Sequence, residues 1–222
     1  MCGRFTLSKP VRELADLFAL AGPPADLKPR YNVAPSQLVA VVGLKPDGRT
    51  RGLAHLRWGF VSRYADSPNG GPRPINARAE TVAFREPFAE SFRERRCLVP
   101  SDGFYEWAAE GGKKVAYHFR PRDGGLLAFA GVWDRWDGPG GPILSCAILT
   151  TRAVEPIKRY HDRMPLVLPP ERWDAWLDPG TRVAELTPLL APPAAGLLEA
   201  VRVGPSVNSP RNDGPECVAP AA

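Results

Sequence analysis

The chain has 222 residues, 44% hydrophobic and 24% charged, the make-up of a soluble globular protein with one large or two small domains. Its 29 Lys and Arg outnumber 24 Asp and Glu, and the net charge of +5 suits contact with a polyanion without establishing one. Four widely spread cysteines with no C-x-x-C pair leave a zinc site without support; with no secretory signal and no membrane-length apolar run, a cytoplasmic protein with reduced thiols is expected.

The 26 prolines are roughly double the usual share of about 5%, which predicts many turns and few long helices. Ser8 is a candidate helix N-cap with Pro10 in the first turn, and Val11, Leu14, Ala15 and Phe18 line one face of a short amphipathic helix that Gly22-Pro23-Pro24 ends. Residues 38–43 form a β-rich apolar run. Ala54, Leu56 and Trp58 alternate with His55 and Arg57 as in a half-buried strand. Residues 67–74 are a Pro/Gly loop, and Pro87 opens a second helix with Phe88 and Phe92 on one face. Segments 97–99 and 103–107 read as short strands. Gly111-Gly112 joins a hairpin between 104–109 and 115–120. Asp123-Gly124-Gly125 is a turn before strand 126–133, and strands at 143–150 and 164–168 follow. Segments 170–177 and 182–190 read as short helices, 198–203 as a last strand, and 206–222 as a polar, Pro-rich tail. With no repeat and no long linker, the chain reads as one α+β domain, mainly antiparallel β in a curved sheet or open barrel with a few short peripheral helices.

The N-terminus offers distinctive chemistry. Cys2 lies behind Met1, and a small second residue generally permits removal of the initiator. Cys2 would then carry a free amine, of reference pKa about 8, and a thiol, about 8.5, so part of each is nucleophilic near neutral pH. A 1,2-aminothiol condenses with an aldehyde through nitrogen and closes a thiazolidine ring through sulfur. From Met1-Cys2 alone, an ordinary small residue at a frayed terminus is the better reading.

Other positions have ordinary readings. Strand alternation alone makes Glu106, between Tyr105 and Trp107, an exposed carboxylate. His55 and His118 read as structural or solvent-facing, and His161 as a surface-loop histidine. Residues 93–96 read as a solvated helix end. Trp107, Trp133, Trp136, Trp173 and Trp176 suit packing, and Trp58 is ambiguous. Cys97 and Cys146 fit buried, inert thiols, and Cys217 carries no assigned role.

Seven segments in order carry a more specific signal: Met1-Cys2-Gly3-Arg4-Phe5, Arg30-Tyr31-Asn32-Val33-Ala34-Pro35, Trp58-Gly59, Ile75-Asn76-Ala77-Arg78-Ala79-Glu80-Thr81, Arg96-Cys97-Leu98-Val99-Pro100, Asp102-Gly103-Phe104-Tyr105-Glu106-Trp107 and His161-Asp162-Arg163-Met164-Pro165. Together with residues 208–216 they resemble the SRAP family (SOS response-associated peptidase, or abasic site processing proteins) over nearly the whole chain. The resemblance implies one SRAP-like domain that captures abasic sites in single-stranded DNA through a thiazolidine on Cys2, with AP-lyase side activity and self-removal of Met1. It implies Cys2 as nucleophile, Asn76 as holder of the opened sugar and the Cys2 amine, Glu106 as acid/base at the sugar oxygen, and His161 in proton transfer. Arg4, Arg78, Arg85 and Arg163 become candidate phosphate contacts, and Pro35 and Tyr64 candidate base contacts. Tyr64 enters because the family's Pro and Trp after Trp-Gly are replaced here by Phe60-Val61-Ser62-Arg63-Tyr64. No metal or cofactor is implied. The expected partner is abasic single-stranded DNA, with no membrane, for a cytoplasmic, nucleoid-associated monomer. Two other readings stay open: an N-terminal-nucleophile amidohydrolase or peptidase, since such amidotransferases also begin Met-Cys-Gly, and a noncovalent reader of single strands or modified bases.

Overall fold

A computed structural model of the chain describes residues 2–22 and 27–221. Met1 and the expected Pro23-Pro24 helix stop lie outside them. The strands are β1 (Phe5–Leu7), β2 (Arg30–Val33), β3 (Leu38–Leu44), β4 (Arg51–Trp58), β5 (Asn76–Arg78), β6 (Arg96–Ser101), β7 (Gly103–Glu110), β8 (Lys113–Pro121), β9 (Leu127–Trp136), β10 (Ile143–Arg152), β11 (Arg163–Pro165) and β12 (Leu198–Arg202). The helices are short: α1 (Val11–Leu17), α2 (Ala89–Glu94), α3 (Trp173–Leu177) and α4 (Val183–Leu186). The expected α+β domain of mainly antiparallel sheets is what the chain forms.

One sheet runs β12-β8-β7-β1-β2. The other runs β11-β10-β4-β3-β6-β9 and curls so that β10 also pairs β9. Within it β10 takes both β4 and β5 in parallel. The hairpin at Gly111-Gly112 forms as expected: both glycines have positive φ, 54° and 76°, the conformation a two-residue hairpin loop needs.

Apolar side chains divide by face. Phe5, Val41, Leu56, Trp58, Phe104, Phe119, Phe129, Cys146 and Ile148 pack with Cys2 in one buried cluster. Leu14, Phe18, Val42, Phe92, Leu98, Leu149, Trp173 and Trp176 form a second, under the helices. Tyr105, Val203, Val207 and Cys217 form a small third one, roofed by the C-terminal segment.

Several local expectations change. Pro10, not Ser8, is the residue before α1 and makes no side-chain cap; the Ser8 amide and hydroxyl both donate to Asp102 instead. On β4, Leu56 and Trp58 are buried as expected but Ala54 is exposed. The solvated helix end at 93–96 is half wrong. Arg95 and Arg96 are buried: Arg96 donates to the carbonyls of Phe92, Arg93, Trp176 and Asp178, and Arg95 pairs with Glu90, Glu94 and Asp134. A guanidinium has enough donors in a fixed fork to close several helix ends at once. The three-residue strands β1 and β5 and the four-residue β2 were not expected, and they carry or adjoin much of the site.

Candidate functional site

Cys2, Glu106, Asn76 and His161 come from four distant stretches and meet where the two sheets face each other. β1 brings Cys2. It pairs antiparallel with β7, with Phe5 opposite Phe104, and the Tyr105 amide donates to the Arg4 carbonyl at 3.0 Å. Continuing that pairing outward brings Glu106 beside the residues that precede Arg4. β7 can lie this close to its neighbours because it starts at Gly103, where a Cβ would stand 2.2 Å from His118 Nε2 and 2.8 Å from the Phe119 carbonyl oxygen. Asn76 heads β5, which is held in register on β10, with Ile148 opposite Asn76. Its Nδ2 donates to the Cys2 carbonyl at 2.8 Å. Its Oδ1 is buried with no hydrogen-bond partner among the described residues, an acceptor suited to a ligand donor.

The site is dry. Cys2 is 0% exposed and Glu106 5%. Burial, with a smaller contribution from the Glu106 charge, drives the Cys2 thiol far above its ordinary range. In the chain that retains Met1 burial therefore favours the protonated thiol; the expectation of a partly ionised thiol concerns Cys2 once Met1 has been removed. Burial also raises the Glu106 carboxyl, against smaller opposing pulls from the amino terminus and from His161. The exposed carboxylate suggested by strand alternation is corrected, because β7 is covered on both sides at this point.

His161 follows a 3-10 turn at Ile157–Arg159 and its amide donates to the Ile157 carbonyl. Its Nδ1 accepts from the Arg163 amide at 2.9 Å and lies 2.9 Å from Asp162 Oδ1. The two contacts use opposite proton states. A bare Nδ1 accepts from Arg163, whereas a protonated Nδ1 donates to Asp162. Beside it opens a cleft of about 780 Å³ lined by Arg78, Arg152, Lys158, Arg159, Tyr160, Asp162 and Arg163.

The expected strand-contacting residues separate. Arg78, in the cleft, and Arg85 are exposed. Arg4 Nη1 donates to Asn32 Oδ1 and to the Val207 carbonyl, both at 2.8 Å, and its guanidinium lies 5.8 Å from the Trp107 ring centre. Arg163 is held by Glu80 at 2.6 and 2.8 Å. Pro35 is half-buried in the β2–β3 turn. Tyr64 is 72% exposed, its hydroxyl donating to Glu90 at 2.8 Å. Trp58 is fully buried, with Nε1 donating to the Ile75 carbonyl at 2.8 Å, so it braces the residue before Asn76 and offers no ring to a base. Glu80, Asp162 and the 72% exposed Phe84 beside Arg85 had not been singled out. Glu80 and Asp162 stood inside motifs but carried no chemistry of their own in the sequence.

The fold and site define a single α+β domain that seals a cysteine near its N-terminus against an amide, a carboxyl and an imidazole, next to a basic cleft. Residues 1–210 match the family described as SOS response associated peptidase (SRAP), and the chain belongs to that family. It is 38% identical over 223 residues to "Abasic site processing protein YoqW" of Bacillus subtilis, covering 98% of this chain and 99% of that one. It is 31% identical to "Abasic site processing protein HMCES" of Gallus gallus, covering 87% of this chain and 66% of that one. A crystal structure of a Bacteroides thetaiotaomicron protein superposes over the full length of both chains, with a TM-score of 0.87 at 25% identity.

Proposed function

We propose that this protein captures abasic sites in single-stranded DNA as a thiazolidine on Cys2, once Met1 has been removed. The observation that carries the reading is the Asn76 amide gripping the Cys2 carbonyl at 2.8 Å, with Cys2 and Glu106 both buried. The names of relatives that align over most of this chain support it.

An abasic deoxyribose is mostly a closed hemiacetal and presents no carbonyl. Glu106, whose carboxyl burial raises, keeps its proton to higher pH than a solvated carboxyl and donates it to the ring oxygen; the C1′–O bond breaks as the C1′ hydroxyl gives its proton to solvent, freeing the aldehyde. The Cys2 nitrogen adds to C1′, and the carbinolamine hydroxyl leaves as water to give an imine. The sulfur then attacks the same carbon while the thiol proton passes to nitrogen, so one water is lost overall. Asn76 donates and accepts without changing charge, and His161 moves protons through its two Nδ1 arrangements. In a competing route the imine acidifies C2′–H, and loss of that proton expels the 3′ phosphate, a lyase side reaction. The peptidase of the family description is assigned to the Met1–Cys2 bond. Arg4, Arg78, Arg85 and Arg163 take strand phosphates, and Pro35 and Tyr64 meet bases.

Intact mass measurement after incubation with an abasic single strand tests this. Protein lacking Met1 gains the oligonucleotide minus one water; protein retaining Met1, or carrying Cys2→Ala, gains nothing. Cys2→Ser forms an adduct only when borohydride reduces the imine. Failure of the Met1-free wild type to gain mass ends the reading.

A further inference from the structure

Arg163 stands ready for a phosphate, but another anion already holds it. Its Nη1 and Nη2 donate to the two carboxylate oxygens of Glu80 at 2.6 and 2.8 Å. Nη2 also donates to the Thr150 carbonyl at 2.5 Å and lies 3.3 Å from the Thr150 hydroxyl. A carboxylate gripped through two parallel N–H···O bonds has the geometry a phosphate takes on the same fork. The Arg163 side chain is 12% exposed while Glu80 is 42% exposed. Glu80 is thus the outer, solvent-facing partner, covering a guanidinium that Thr150 fixes from within.

We propose that Glu80 is an internal stand-in for a strand phosphate, a latch that occupies Arg163 in the free protein and that a DNA phosphodiester must displace. This rests on the reading of Arg163 as a phosphate contact. Glu80 has somewhere to go. Its carboxyl is held below the ordinary range chiefly by Arg163, and Arg152 contributes to the same lowering; Arg152 lines the cleft beside Arg163 and receives the released carboxylate. The exchange swaps one anion for another on a prepared fork and moves no backbone. Its consequence is selectivity. A lone phosphate or a surface anion competes poorly with a tethered carboxylate, whereas a strand that also engages Arg78 supplies several contacts together.

The test is equilibrium binding of an undamaged thymidine oligonucleotide, where no covalent step contributes. Glu80→Gln keeps the size of the side chain and removes its charge. It is expected to bind about fivefold more tightly than wild type, the scale of a partly exposed ion pair. Arg163→Ala weakens binding, and adding Glu80→Gln to it gives no gain. Weaker or unchanged binding by Glu80→Gln, the same gain without Arg163, or no binding by any of these proteins overturns the latch. Unfolding of each variant in urea is followed in parallel, so that lost structure is not read as lost binding. The covalent reading fails separately: wild type that binds the undamaged strand, tightens with Glu80→Gln, and never crosslinks an abasic strand keeps the latch and loses the thiazolidine.

Discussion

His118 ties stability to pH through one buried ring. It is 5% exposed, with Nε2 3.1 Å from the Thr6 hydroxyl. That hydroxyl donates to the Gly103 carbonyl, so it accepts from the ring, and the proton of the neutral imidazole sits on Nε2. Burial lowers the His118 pKa from 6.5 to about 4, against a smaller opposing pull from Asp102. The folded pKa is depressed, so the contribution is fully present above the unfolded value. It is lost as pH falls from 6.5 towards 4, where the unfolded chain takes up a proton the folded chain refuses. The whole window is worth about 3 kcal/mol. Glu106 has the opposite sign: its raised carboxyl favours the fold at low pH and ceases to as pH rises through the folded value. Urea unfolding at steps between pH 7.5 and 4.5 reads the sum. His118→Gln keeps an amide N–H for Thr6 and is expected to flatten the acid decline; a decline as steep as in wild type would assign it to other groups.

The smallest elements depend on partners far along the chain. β2 is fastened by the C-terminal segment: Asp213 accepts from the amides of Tyr31 and Asn32 at 2.7 and 2.8 Å and from the Arg30 guanidinium. Asn32 Nδ2 in turn points at the carbonyls of Val207, Ser209 and Asn212. The same Asn32 and the Val207 carbonyl hold Arg4, two residues from Cys2. Asp213→Ala strands two backbone donors and leaves the Arg30 guanidinium to Gln37 alone. It is expected to cost about 2 kcal/mol in urea unfolding, with Asp213→Asn costing less because one acceptor oxygen survives. Equal stability of wild type and Asp213→Ala would mean the segment only rests on β2. Here lies the limit of what the amino-acid pattern discloses. The apolar, β-rich runs of β3 and β10 and the Gly-Gly hairpin between β7 and β8 were readable, because composition and turn chemistry are local. β1 and β5, at three residues, are too short to show a period. The tail read as a polar Pro-rich end because the partners that hold it to the rest of the site lie 101 to 203 residues away. Cys2, Asn76, Glu106 and His161 were legible only through the ordered motifs; neither the burial of Glu106 nor the raised thiol of Cys2 follows from local sequence.

At the scale of the molecule, the site exists only where two sheets meet, so the packing between them is part of the chemistry. Cys2 and Glu106 belong to the β1–β7 side, and Asn76 to β5 on β10 in the other sheet. Phe5 of the first sheet lies edge-on to Trp58 and Phe129 of the second, at ring separations of 5.2 and 6.1 Å. Trp58 is the joint. Its ring fills the space between the sheets while its Nε1–H ties down the Ile75 carbonyl, one residue before Asn76. The backbone turns immediately after it, at Gly59 with φ 141°, a conformation side-chain-bearing residues rarely adopt. Trp58→Phe keeps an aromatic ring but loses volume and removes one of the two donors to the Ile75 carbonyl, leaving it to the Ile148 amide alone. The expected cost is about 2 kcal/mol in urea unfolding. Capture should suffer differently from binding. Arg152 and Arg163 of the basic cleft stand on β10 and β11, and Arg78 is held at the far end of β5 opposite Thr150, so affinity for an undamaged strand falls less than the rate of adduct formation at saturating abasic strand, which drops because Asn76 no longer meets the Cys2 carbonyl squarely. Equal losses in affinity and rate would point to general loosening of the fold, and an unchanged rate would show that Asn76 holds its position without the indole.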